Sequence, residues 1–93
     1  MEDAHIVYTD TWVSMGDEAE TDQRLKTFAP YQVNSKLVKG AAKNFIFMHD
    51  MPAHLGQEVT ADIFRGPRSR VFIQADNRKH AQKAVLYQML KGN

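Results

Sequence analysis

The sequence predicts an α/β fold in which a short parallel sheet of about three strands is flanked by helices. Three features lead there. Ala4–Val13 (AHIVYTDTWV) is rich in β-branched and aromatic residues, as a buried strand is. Asn44–Met48 (NFIFM) is a continuous apolar run, the pattern of a strand covered on both faces in a parallel sheet. Segments with helical spacing and helix-end signals separate these runs and succeed them. Strands that alternate with helices are what parallel crossover units require.

Taken in order, the first strand runs into Ser14-Met15-Gly16, a turn signal. Asp17 with Glu20 fits a capping box that opens a helix through about Ala29. Leu25, Phe28 and Ala29 form its narrow apolar face, and Pro30 stops it. Asn34 is placed to cap a short second helix containing Leu37 and Val38, with Gly40 near its end. After the apolar run, Pro52 breaks the strand and a loop leads to Thr60, a candidate cap for a short helix over Ala61–Arg65. Gly66-Pro67 then precedes a third short strand, Arg70–Ile73 (RVFI). The last element is a helix over Asp76–Lys91, with Ala81, Val85 and Met89, and Leu86 and Leu90, at helical spacing. No internal repeat, low-complexity segment or linker divides the chain, so residues 1–93 read as a single domain unit.

Bulk properties exclude several classes. Twelve basic and eleven acidic side chains are interspersed, for a formal charge of +1. Such a surface has no basic stripe to neutralise phosphates, which argues against nucleic acid. The longest apolar runs fall far short of the roughly 20 residues that cross a bilayer. Met1–Ala4 lacks the basic start and apolar core of a signal peptide. There is no cysteine, so neither a disulfide framework nor a thiolate metal site is available. A cytoplasmic protein is expected.

In parallel sheets, ligands sit beyond the carboxyl ends of the strands. Both segments with chemical potential, Asp10–Gly16 and His49–His54, fall there. Asp10 is an acceptor for a ligand ammonium, and Ser14 offers a hydroxyl and a backbone N–H near a helix start; together they suit an amino acid. Equally, Asp10 can cap local backbone and Ser14–Gly16 can be an ordinary connection. His49 and Asp50 come directly after a buried strand that can hold them rigidly over a pocket, although a strand-end histidine bonded to a loop carbonyl is also common. The spacing of His49, Asp50 and His54 matches no metal-ligand motif. Arg78, near a helix start, can bind an anion or simply pair with Asp76. Tyr8, Trp12 and Tyr31 read as core or interface aromatics.

Together these segments resemble the ornithine carbamoyltransferase family. TDTWVSMG (Thr9–Gly16) is similar to its ornithine-loop signature. FAPYQVN (Phe28–Asn34), FMHDMPAHLGQEV (Phe47–Val59), GPRS (Gly66–Ser69) and ADNRKHAQKA (Ala75–Ala84) come after it in the family's order. The resemblance implies a Rossmann-like carbamoyltransferase domain, here its ornithine-binding part, in an enzyme that joins carbamoyl phosphate to L-ornithine to give citrulline and phosphate. It implies Asp10, Ser14 and Met15 as ornithine contacts. It places His49, Asp50, Met51 and Arg78 around the carbamoyl group and the reacting amine. It implies homo-oligomers and neither a metal nor an organic cofactor.

Two departures accompany it. Asp50 stands where the family's His-Cys-Leu-Pro motif has cysteine, and Leu55 stands where an arginine often comes after Pro-Ala-His. A carboxylate at position 50 favours the ammonium form of the attacking amine, which has no lone pair to attack with. The family's phosphate-binding Ser-Thr-Arg-Thr segment and amino-terminal domain are not in this sequence, and Met1 is expected to be an internal methionine of a longer parent. The expectation is therefore an ornithine-binding transferase fragment, inactive alone. The alternative is a non-catalytic, self-associating assembly module on the same scaffold.

Overall fold

A computed structural model describes residues 1–13 and 20–92 of the chain. The elements run β1 (Ile6–Thr9), α1 (Thr21–Phe28), β2 (Ile46–His49), α2 (Ala61–Phe64) and α3 (Val71–Lys91). Single 3₁₀ turns occupy Ala29–Tyr31 and Leu37–Gly40. β1 and β2 are parallel neighbours, with Ile6, Val7, Tyr8 and Thr9 opposite Ile46, Phe47, Met48 and His49. The α/β class and the parallel sheet of the sequence reading are present, with two strands rather than three among the described residues.

The third strand expected at Arg70–Ile73 is corrected to the first turn of α3. Among the described residues, backbone pairs with the free edge of β2 at one residue, Phe47. Phe47 N–H donates to Arg68 O at 2.9 Å, and Arg70 N–H donates to Phe47 O at 2.8 Å. From Val71 onward the backbone is helical. A short apolar run such as RVFI fits either state by periodicity alone. No helix breaker stands between Ile73 and Asp76, and the residues beyond are good helix formers. Extending an existing helix backwards needs no new nucleus, so the helix captures the run. Val71 reaches the core while Phe72 and Ile73 stay 67% and 60% exposed.

β1 keeps only Ile6–Thr9 of the expected Ala4–Val13 and leaves Ile6 and Tyr8 more than half exposed, whereas the remaining boundaries track the signals more closely. Asn34 Oδ1 accepts the N–H of Leu37 at 2.9 Å, the expected cap, and the turn it opens closes at Gly40. α1 stops before Pro30, but its expected apolar face is thin: Leu25 is half-buried and Phe28 is exposed. Thr60 stands at the start of α2, although its hydroxyl bonds Val33 O (3.5 Å) rather than the helix. The expected Asp17–Glu20 box has Asp17 outside the described residues.

Val7, Val33, Phe45, Phe47, Val59, Phe64 and Val71 form the core, with Leu37, Val38, Met51 and Ile63 packed against it. A parallel bridge between Val33 and Val59 draws the middle of the chain across this core. Of the aromatics expected in the core or at an interface, Tyr8 and Tyr31 are exposed and so lie outside the core. α3 spans roughly 30 Å by its 21 residues and buries only Val71, so it projects from the sheet. No described helix is long and apolar enough to cross a membrane.

Candidate functional site

Thr9 and His49 end their strands in register, so the chain leaves both at the same edge of the sheet. The chain then turns tightly beyond β2. Met51 adopts φ +64°, a left-handed conformation rare for a side chain of its size, and the Met51–Pro52 bond is cis. Met51 N–H donates to His49 Nδ1 at 2.8 Å, and His49 Nε2 lies 2.8 Å from Glu58 Oε1. Because Nδ1 accepts, the imidazole carries its proton on Nε2 and donates it to Glu58. The same Oε1 accepts the N–H of His54 at 2.8 Å. His49 and Glu58 are both fully buried. The ring of His49 is therefore turned inward, with both nitrogens engaged, and it braces the turn from beneath.

Asp50 sits on that turn with its side chain 38% exposed. Its Oδ1 lies 3.6 Å from His49 Nδ1 and is covered, yet finds no hydrogen-bond partner among the described residues. The backbone carbonyl of Asp50 accepts a hydrogen bond from the Arg78 guanidinium. Arg78 is otherwise exposed on α3. One turn earlier on the same helix, Gln74 Oε1 accepts the N–H of His49 at 3.0 Å, and its Nε2 donates to Tyr8 Oη at 2.9 Å.

Asp10, just past β1, is exposed, and its Oδ1 accepts the N–H of Thr11 at 2.6 Å. Beside it opens a pocket of about 800 Å³ toward α1, with Tyr8, Asp10, Trp12, Arg24 and Phe28 in its wall. Trp12 and Phe28 stack tilted at 5.9 Å, and Arg24 donates to Trp12 O, which ties α1 to the segment after β1. Thr11 Oγ1 meets His54 Nδ1 at 2.8 Å, linking this segment to the loop after β2. Ser14 and Met15 lie outside the described residues.

Of the residues singled out from sequence, the fold thus gathers His49, Asp50, Met51 and Arg78 at one strand end and brings Asp10 to the neighbouring one. Among the described residues, no group of three or more His, Cys, Asp or Glu side chains is arranged to hold a metal. Glu58 and Gln74 are not among the residues the sequence points to. Glu58 gives no periodic signal, being a charged residue in a loop. Gln74 becomes legible once the helix is begun at Val71, because Gln74 and Arg78 then share a face.

A family model described as the aspartate/ornithine-binding domain of aspartate/ornithine carbamoyltransferase matches residues 1–89. The chain is 58% identical over 91 residues to ornithine carbamoyltransferase from Methanobrevibacter smithii, covering 98% of this chain and 30% of that protein. It is 54% identical over 92 residues to the enzyme of Thermococcus kodakarensis, covering 99% and 29%. Among solved structures, ornithine carbamoyltransferase from Pyrococcus furiosus superposes with a TM-score of 0.83 at 56% identity, over 91% of this chain and 27% of that one. The anabolic enzyme of Campylobacter jejuni superposes with a TM-score of 0.89 at 35% identity, over 99% and 30%. The chain spans about 30% of the length of the curated relatives it matches.

Proposed function

The chain belongs to the aspartate/ornithine carbamoyltransferase family, and from that premise we propose that residues 1–93 form a partial ornithine-binding domain, the amino-acid half of an ornithine carbamoyltransferase site. The register of Thr9 against His49 carries this reading. It sets Asp10 and Asp50 at matching ends of strands that lie about 5 Å apart. Two carboxylates so placed suit a ligand with two amino groups, as L-ornithine has. Asp10 takes the α-ammonium and Asp50 faces the side-chain amine. Ser14 and Met15 complete the hold on ornithine, a role that rests on the resemblance.

In the whole enzyme, the side-chain nitrogen attacks the carbonyl carbon of carbamoyl phosphate. A C–N bond forms, the C–O bond to phosphate breaks, and the amine loses a proton. Arg78 and the Asp50–Met51 backbone line the carbamoyl side, and His49 holds that backbone from below. Stabilising the departing phosphate needs several fixed cations and N–H donors. Arg78 is one such group, so carbamoyl phosphate is bound only when a carbamoyl-phosphate domain is supplied. The chain alone binds ornithine or a similar amino acid without turning it over. No cofactor is required, and the setting is cytoplasmic.

Titration of the purified chain with L-ornithine by calorimetry or NMR tests this. Saturable binding that Asp10→Ala abolishes supports the reading. A folded chain that does not bind overturns it and favours a second reading, a self-associating assembly module. That second reading has its own support in α3, whose apolar residues are exposed along nearly its whole length.

A further inference from the structure

In β2, the amides alternate between the two edges of the strand. Ile46 N–H donates toward β1, to His5 O at 3.0 Å, so Phe47 and His49 direct their N–H groups to the opposite edge. At Phe47 that edge is closed by Arg68 and Arg70. At His49 a third strand would have to supply the next carbonyl, and the backbone has already become α3. The acceptor there is the side-chain carbonyl of Gln74, at 3.0 Å. The other end of the same amide donates to Tyr8 Oη on β1, in the wall of the pocket that contains Asp10. Arg78, four residues on along α3, holds the carbonyl of Asp50.

We infer that Gln74 is a positioning residue of this site: its amide stands in for the missing strand at His49 and, through Tyr8, ties the Asp10 pocket to the His49–Asp50 turn. Without it, the His49 N–H loses its acceptor, and Arg78 makes the one remaining hydrogen bond from α3 to the turn among the described residues. The geometry needs a side chain with an acceptor at this reach. Gln supplies the acceptor to His49 and the donor to Tyr8 at once. Glu preserves both contacts with one reversed, because a tyrosine hydroxyl can donate as well as accept. Met fills the same space and makes neither. The functional part of the inference rests on the ornithine reading; the hydrogen-bond part does not.

The test compares amide hydrogen exchange and L-ornithine titration in the wild-type chain, Gln74→Met and Gln74→Glu. In Gln74→Met the His49 amide is expected to exchange roughly tenfold faster or more, the size of effect expected for a buried donor left unpaired. The Phe47 amide, bonded to Arg68, keeps its rate, and Gln74→Glu restores protection at His49. L-ornithine affinity falls in Gln74→Met and recovers in Gln74→Glu. Unchanged exchange at His49 in Gln74→Met overturns the inference. So does equal acceleration at Phe47, which marks a general loss of stability. Protection lost and rescued while ornithine affinity stays constant overturns the positioning role. A wild-type chain that binds no ornithine refutes the proposed function instead, and the exchange rates still decide whether Gln74 holds the turn.

Discussion

His49 and Glu58 form a fully buried pair, with Nε2 and Oε1 2.8 Å apart across the turn that carries Asp50 and Met51. One carboxyl oxygen serves two donors, the imidazole and the N–H of His54. Glu58 is itself placed by the neighbouring bridge, since its carbonyl accepts Val33 N–H at 2.9 Å. The core thereby sets the carboxyl, the carboxyl sets the ring, and the ring sets the backbone of the turn.

Removing that carboxyl leaves two donors without a partner, the buried imidazole of His49 and the partly covered N–H of His54. At about 1–3 kcal/mol for each unsatisfied group, Glu58→Ala is expected to destabilise the chain by ~3 kcal/mol. Glu58→Gln retains an oxygen in place and costs less than half of that. Urea unfolding monitored by circular dichroism reads both variants. Equal losses would mean that the pair fills space and does not organise the turn.

Much of this arrangement is legible in the sequence. The parallel α/β class, β1, β2, the Asn34 cap and the placing of Asp10 and His49–Asp50 at the strand ends all come from local patterns. The parts that are not legible depend on partners distant in sequence. RVFI reads as a strand because three apolar residues carry no decisive period, and the helix behind them settles the matter. Glu58 lies nine residues from the histidine it binds, within a loop where a charge ordinarily faces water. Tyr8 and Tyr31 read as core or interface aromatics by residue type, and both are exposed, which leaves the interface half of that reading.

The backbone of Met51 supports a second prediction. At φ +64° a β-branched residue is a severe outlier, whereas an unbranched one is tolerated at moderate cost. Met51 also packs against the core, so its volume matters. Met51→Leu keeps the volume and branches only beyond Cβ; it is expected to cost under about 1.5 kcal/mol. Met51→Val adds backbone strain to lost packing and is expected to cost roughly 2–3 kcal/mol. Thermal unfolding of the two variants side by side decides this. A Val variant as stable as the Leu variant would show that the turn relaxes to another conformation.

The exposed helix gives a third. Val85, Leu86, Tyr87, Met89 and Leu90 are each more than half exposed on α3, with Leu90 reaching 87%. Contiguous apolar surface of this kind ordinarily marks an interface. The isolated chain is expected to self-associate at high micromolar concentration through this helix. Light scattering should show a mass above 10.6 kDa that returns to the monomer value in the double variant Leu86→Glu, Leu90→Glu. Strictly monomeric wild-type chain would rule this out.

Asp50 gives the last. In the ornithine reading, its carboxylate lies beside the amine that must attack, and it holds that amine as an ammonium. An opposite charge within a few ångströms raises the pKa of such an amine by about 1–3 units. At a pH below that pKa, the free-base fraction then falls by roughly tenfold or more. In a full-length architecture with a carbamoyl-phosphate domain, Asp50→Cys and Asp50→Asn both remove the charge and are expected to raise citrulline formation about tenfold near neutral pH. The gain should shrink as pH rises, because alkali frees the amine in the Asp50 form as well. A colorimetric citrulline assay across pH reads both effects. Equal rates at every pH would mean that the Asp50 carboxylate does not meet the reacting amine.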